Sequence, residues 1–258
     1  MAKTSSSITG TLARSVDGST ASAEQKDAVV PIGTKLFAEC VGTFALTLVI
    51  AGSVVIPSAS QATVLPAAVA VAGGLILMAL VYSIGRLSGA HVNPAVTLGI
   101  ALRGNFDWKN VPLYWIAQIV GGILAAAVLL GTFGNVAHLG STLPSPVTSA
   151  AQVFIIEMIM TAILVTVVLS VTKEPSSQIG HNAGLAIGAA LTLCMLLGIT
   201  ASGASLNPAR SLGPALLSGS TQDLWVYIVA PMVGALIAAA VDGVIHGSKR
   251  SQLPYRTH

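Results

Sequence analysis

One twelve-residue phrase occurs twice in this chain. Residues 88–99 read SGAHVNPAVTLG and residues 202–213 read SGASLNPARSLG, identical at eight of twelve positions and 114 residues apart. Each copy sets Asn-Pro-Ala at the head of a short apolar stretch: Asn93-Pro94-Ala95 and Asn207-Pro208-Ala209. A repeat this close inside a hydrophobic chain predicts two half-domains that meet at a shared site. The copies differ most at one place, where Val96 in the first stands opposite Arg210 in the second.

The chain is built for lipid. Hydrophobic residues make up 53% of it and charged residues 8%, with a mean hydropathy of +0.82. A soluble domain carries about 25% charged residues, so a water-covered globule is excluded. The net charge is only +3 and the basic residues are scattered, which excludes a nucleic-acid partner. Cys40 and Cys194 both fall in apolar stretches and read as small inert hydrophobes rather than a disulfide or a metal pair. The sequence contains no nucleophile–base constellation, phosphate loop or metal-ligand cluster. No enzyme activity, cofactor or metal is therefore expected.

A bilayer core of about 30 Å needs roughly 20 apolar residues per spanning helix. Six stretches qualify, at about 33–56, 64–85, 111–132, 151–172, 183–201 and 224–246. Two more, at about 94–102 and 208–217, are too short to span and begin with the Asn-Pro-Ala phrases. They read as half-helices that enter the membrane and stop inside protein, the one setting in which non-helical backbone is tolerated at that depth. Residues 1–32 are Ser/Thr-rich and read as a disordered tail without a secretory core. A channel-like domain then covers 33–247, with repeat 1 at about 33–135 and repeat 2 at about 148–247, before a tail at 248–258.

Positive charge sets the orientation. Lys3, Arg14, Lys26, Lys35, Arg86, Arg103, Lys109, Lys173, Lys249, Arg250 and Arg256 all fall in the tails or in the 2–3 and 4–5 connections. Both termini are expected in the cytoplasm, with the first phrase dipping in from that side and the second from outside. Trp108, Tyr114, Trp115, Trp225 and Tyr227 lie near span ends and read as interfacial anchors.

Glu39 in the first span and Glu157 in the fourth precede the motif asparagines by 54 and 50 residues. A carboxylate at the centre of a membrane helix costs at least a few kcal/mol by insertion scales and needs a partner or a function. A proton relay is one reading; the other is an acceptor for the exposed N–H groups of each re-entrant loop. Their matched placement favours the second.

With these residues in hand the chain is identified as resembling the aquaporin (major intrinsic protein) family. The two NPA phrases, a helix-embedded Glu in each half and six spans carry the resemblance, together with AECVGTF at 38–44, YWIAQIVGGILAA at 114–126 and WVYIVAPMVGALIAA at 225–239. It covers about residues 33–247. It implies an all-α bundle of six transmembrane helices plus two re-entrant half-helices in an inverted repeat, a pore in each subunit, and a homotetramer.

The phrase itself has readable chemistry. Asn suits an N-cap, and Pro at the next position gives up an N–H that has no helical partner anyway. Two half-helices starting near the midplane bring their positive ends together, a barrier to cations. Asn93 and Asn207 then line a pore and offer amide donors to a passing oxygen. Arg210 is implied to stand in an outer constriction; the alternative is an arginine that snorkels outward or pairs with a carboxylate. His91 reads equally as a vestibule ligand or as a loop-packing histidine.

By family spacing, Gly73, Met195 and Ala204 join Arg210 in the selectivity filter. Strict water channels resemble one another in having an aromatic and a histidine at the first two of these positions, and this chain has neither. Glycerol facilitators usually have two bulky aromatics and an Asp after the Arg; here Ser211 follows. Gly73 and Ala204 remove bulk while Met195 adds a flexible side chain, so a wider filter is expected. It would pass water and small uncharged solutes such as glycerol, urea or metalloid hydroxides and exclude protons and ions. The alternatives are a strict water channel whose gap is refilled by other side chains, a coupled secondary transporter, and a closed scaffold packed through residues such as Gly184 and Gly188. A plasma membrane is the expected location.

Overall fold

The computed structural model describes residues 30–173 and 177–247, which form helices and connecting loops. The tails at 1–29 and 248–258, with Lys3, Arg14, Lys26, Lys249, Arg250 and Arg256, lie outside the described residues. So do positions 174–176. The helices are α1 (Ile32–Ala59), α2 (Pro66–Ser88), α3 (Pro94–Leu102), α4 (Val111–Phe133), α5 (Ala150–Val171), the single turn α6 (Gln178–His181), α7 (Ala183–Ser202), α8 (Pro208–Ser218) and α9 (Leu224–His246).

Local signals set most of these boundaries. Proline stands at the start of α2, α3 and α8, where its missing N–H costs nothing. A capping box between Ser149 and Gln152 starts α5. Gly89 and Gly203, in left-handed conformation with φ of 93° and 78°, stop α2 and α7. Six helices are long and apolar enough to cross a membrane. At about 1.5 Å per residue, α3 and α8 reach only about 13 and 16 Å, half a bilayer core.

The two halves repeat one packing scheme. α1 packs on α2 and α4 as α5 packs on α7 and α9, and α2 meets α7 across the centre. Each half-helix crosses over, α3 lying against α9 and α8 against α4. Neither half therefore encloses its own half-helix. Small residues permit these approaches. A Cβ on Gly121 would strike the carbonyl of Cys40, and one on its counterpart Gly234 would lie 2.5 Å from the carbonyl oxygen of Met158. Where α7 crosses α2, a Cβ at Gly188 would lie 2.6 Å from the carbonyl oxygen of Gly74, and one at Gly184 would strike the Tyr82 ring. Cys40 and Cys194 are free thiols, the latter buried.

Apolar side chains such as Ile116, Leu193 and Leu236 cover the outside, where lipid tails replace water. This is a multi-pass membrane protein. The aromatics divide differently from the sequence expectation. Trp108 and Trp225 are 55% exposed, as anchors are, but Tyr114 and Tyr227 are fully buried. Trp115 is half-buried and donates its Nε1–H to Pro94 O at 3.1 Å. The tyrosines face inward because their hydroxyls have work there, described below.

At the end of α9, Asp242 gathers three side-chain partners from the ends of α3, α5 and α9. Arg103 Nε lies 2.7 Å away, Lys173 Nζ 2.8 Å and His246 Nδ1 2.9 Å. The carboxylate is 1% exposed, and it ties the ends of α3 and α5 to α9.

Candidate functional site

The residues after α2 and α7 form two loops of the same shape. Beyond each terminal glycine the backbone alternates into the left-handed region, at Ala90 (φ 48°) and Val92 (φ 43°) in the first loop and Ala204 (φ 47°) and Leu206 (φ 53°) in the second. Such residues cost about 1–3 kcal/mol each and persist only where their surroundings hold them. Val92 is β-branched, which makes its position the most demanding.

A buried carboxylate supplies the restraint in each half. Glu39 accepts the Ser88 hydroxyl (2.7 Å) and the His91 N–H (2.9 Å) on Oε1, and the Val92 N–H (2.7 Å) and Gln118 Nε2 (2.8 Å) on Oε2. Glu157 accepts the Ser202 hydroxyl (2.7 Å) and the Ser205 N–H (2.8 Å) on Oε1, and the Leu206 N–H (2.8 Å) on Oε2. Tyr114 and Tyr227 donate their hydroxyls to Ser88 O (2.8 Å) and Ser202 O (2.7 Å). They satisfy helix-end carbonyls that would otherwise lack a donor in a dry interior.

Held in this way, the loops present Asn93 and Asn207 to each other. Asn93 caps α3, its Oδ1 accepting the Ala95 N–H at 2.8 Å; Asn207 caps α8 through the N–H groups of Ala209 (3.0 Å) and Arg210 (3.3 Å). Asn93 Nδ2 donates to Leu206 O and Asn207 Nδ2 to Val92 O, both at 2.8 Å. Each asparagine thus clamps the opposite loop. A carboxamide nitrogen carries two hydrogens, so one on each side remains beyond this clamp.

Both asparagines line a central cavity of about 1080 Å³. Its walls are largely apolar, including Leu46, Ile50, Leu77, Val96 and Leu164, while Arg86, Lys173 and His181 line its other end. His91 lines the cavity too, and it also packs: Nδ1 lies 3.1 Å from Thr97 Oγ1 and its ring meets Phe106 and Tyr114 at 4.9 and 5.1 Å.

Arg210 borders the same cavity and is 3% exposed. It neither snorkels nor makes an ion pair among the described residues. Nη1 donates to Gly140 O at 3.0 Å, and Nε has no protein partner among the described residues. Gly140 closes a turn whose four residues, 137–140, all have φ between 47° and 66°. A Cβ at Gly140 would lie 2.7 Å from Ala51 Cα, so this turn sits directly on α1. Behind Arg210 runs a hydroxyl chain, with Ser211 Oγ 2.7 Å from Thr142 Oγ1 and 2.5 Å from Ser205 Oγ.

Gly73, Met195 and Ala204 are all buried on the α2–α7 side of this region, and none of them lines the cavity. Sequence reasoning missed Gln118, Thr142, Gly140 and the inward tyrosines. Only the tyrosines had a visible signal: YWIAQIVGG at 114–122 aligns with YIVAPMVGA at 227–235, which sets Tyr114 beside Tyr227 and Gln118 beside Pro231.

The geometry has clear relatives. The family model described as Major intrinsic protein matches residues 28–242. Aquaporin NIP1-1 of Zea mays is 43% identical over 211 residues, spanning 81% of this chain and 74% of its own. Nodulin-26 of Glycine max is 39% identical over 217 residues, covering 84% and 79%. The X-ray structure of the aquaglyceroporin from Plasmodium falciparum superposes with a TM-score of 0.75 at 25% identity, covering 82% of this chain and 96% of that one. The chain belongs to the major intrinsic protein family and is a membrane channel for water and small solutes.

Proposed function

We propose that the central cavity is one pore per subunit, conducting water together with small uncharged solutes of the glycerol, urea or metalloid-hydroxide class while excluding protons and ions. The single observation that carries this reading is the reciprocal clamp of Asn93 and Asn207. It fixes the N-termini of α3 and α8 against one cavity, so a permeating cation meets two positive dipole ends with no anion beside them. Pro94, Ala95, Pro208 and Ala209 form the heads of these two helices, and the remaining amide hydrogens are donors for a water or hydroxyl oxygen. Arg210, whose Nε has no partner among the described residues, adds a fixed positive charge and a donor at the outer constriction, to which we also assign Gly73, Met195 and Ala204. Glu39 and Glu157 act as acceptors for the loops rather than as a proton relay, since all their contacts are to loop and helix donors.

The likeness to an aquaglyceroporin supports solutes larger than water. One observation favours the narrower reading, a strict water channel: Met195 occupies the space that Gly73 leaves open. The family resemblance supports a homotetramer, and the positive-charge distribution supports cytoplasmic termini in a plasma membrane. We take 33–135 and 148–247 as the two repeats that build each pore.

Stopped-flow measurements on proteoliposomes test this directly. Water, glycerol and urea fluxes above those of empty vesicles, with no proton or potassium leak, are expected. Water flux alone would overturn the solute assignment, and a proton-coupled flux would overturn the passive pore.

A further inference from the structure

A second hollow lies where α3 and α8 meet head to head, and it shares no lining residue with the central cavity. α4 packs on α8 and α9 on α3, but α4 and α9 barely touch each other. Between them is a crevice of about 170 Å³ with a wholly apolar lining. Its floor is Pro94 and Pro208, the first residues of the two half-helices, both buried. Trp115 and Ile119 wall it from α4, and Ile228 and Met232 from α9, each pair one turn apart on its helix. These four stand at matching positions of the aligned segments 114–122 and 227–235, so the crevice follows the repeat.

Its surroundings say what reaches it. The four wall residues are half-buried, and their chain neighbours Ile116, Val120 and Val229 are exposed on the apolar outer surface. The crevice is thus continuous with the face that lipid covers. Each half-helix spans about half a bilayer core, so the proline heads lie near the midplane, at the depth of acyl-chain ends. The indole N–H of Trp115 is spent inside the protein on Pro94 O. An ordered water needs two to four polar partners, and this lining offers none. A dry apolar cavity of about 150 Å³ is large enough to hold benzene. The crevice is of that size and that character.

We propose that this crevice seats the end of a phospholipid acyl chain, packed against the heads of both half-helices from the bilayer side. No hydrophobic gain drives a chain out of lipid into the crevice, since the tails are as apolar as its walls. Dispersion drives it, because an unfilled crevice leaves its lining atoms without partners on one side. The seat therefore exchanges chains with the surrounding lipid. What the chain supplies is packing behind Pro94 and Pro208, the residues that follow the two clamped asparagines. Asn93 and Asn207 hold the heads together on the pore side, and the chain end backs them on the other.

Trp115 reports occupancy. Trp108→Phe with Trp225→Phe leaves it as the only tryptophan of the chain. In vesicles of phosphatidylcholine with brominated acyl chains, bromine quenches tryptophan fluorescence at close contact. Bromines near the chain ends should quench Trp115 more strongly than bromines near the headgroup. Equal quenching from the two depths would overturn the midplane seat. No quenching from either, as when a second copy of the chain covers this face, would overturn the lipid. Filling the crevice then separates a seated chain from lipid that merely brushes the surface. Met232→Phe puts a ring into the crevice and should remove most of the chain-end quenching. Ile116→Phe, on the exposed face, should leave it unchanged. Quenching that survives Met232→Phe, or that falls equally in both variants, overturns the seat. If Met232→Phe does not assemble, as judged by lost water flux, Ile228→Phe on the same wall takes its place with the same two outcomes.

Discussion

The two re-entrant loops share a skeleton and differ in what decorates it. Glu39 and Glu157 accept the matching hydroxyls of Ser88 and Ser202 and matching loop N–H groups, and Tyr114 and Tyr227 donate to matching backbone carbonyls. The Nδ2 bonds of the two asparagines are mirror images at 2.8 Å. Away from this frame the halves diverge. The first loop is braced by His91, Thr97 and Gln118, which join an imidazole, a hydroxyl and an amide. The second is braced by Ser205, Ser211 and Thr142, three hydroxyls in a row, and Pro231 stands where Gln118 would be. Val96 faces the cavity from α3 and Arg210 from α8. What repeats is what any buried loop needs, a partner for each N–H. What differs is what gives the two ends of the cavity separate chemistry.

The sharpest way to break the frame is to neutralise its carboxylates one at a time. Glu157→Gln should cost more than Glu39→Gln, for two reasons. Glu157 is an electrostatic counterweight to the buried guanidinium of Arg210, whereas the first loop has Val96 at the matching place. Gln118 can also turn its amide, whose Oε1 has no partner among the described residues, toward a glutamine at 39; Pro231 offers no such help. Leaving one buried N–H unsatisfied costs about 1–3 kcal/mol, and the uncompensated cation adds to that at position 157. Thermal unfolding in detergent should place Glu157→Gln well below Glu39→Gln; equal losses would mean the decorations do not matter to stability.

Arg210→Val makes the second copy match the first at its point of greatest difference. It removes a fixed charge from the cavity wall without touching either carboxylate. Like-charge juxtaposition costs several kcal/mol and about 1.4 kcal/mol is a factor of ten, so proton or cation leak through proteoliposomes should rise by about a hundredfold or more, with the fold retained. A variant as tight as the parent would assign the whole barrier to the two helix N-termini.

Much of this was legible in the sequence because the repeat is local and the membrane is unforgiving. Asn-Pro-Ala announces a capped helix start, Gly89 and Gly203 announce stops, and an apolar run of twenty residues has few other fates. Glu39 and Glu157 were legible because a lone carboxylate in lipid demands a donor. The inward turn of Tyr114 and Tyr227 was not, since a tyrosine near a span end reads as an anchor until its hydroxyl's partner is known. Nor was the filling of Gly73 by Met195. A residue's bulk is visible in a sequence, but the direction in which a flexible neighbour leans is a property of packing. Gly140 and Thr142 lie some 70 residues before the Arg210–Ser211 pair they touch, a contact that no local pattern carries.

The smallest test asks how complete the symmetry is. Tyr114→Phe and Tyr227→Phe each remove one buried hydroxyl donor and leave a helix-end carbonyl, Ser88 O or Ser202 O, without it. The rings stay, so packing is conserved, and each loss should cost about 1 kcal/mol. If the frame is symmetric, the two variants should shift the unfolding midpoint by the same amount and the double variant by the sum, since Tyr114 and Tyr227 serve different loops. If Tyr114→Phe costs clearly more, the ring contacts of Tyr114 with His91 and Phe106 depend on the hydroxyl as an anchor. The first loop would then be the one in which frame and decoration have merged. A larger loss at Tyr227 would point instead to the hydroxyl chain behind Arg210 as dependent on the Ser202 turn.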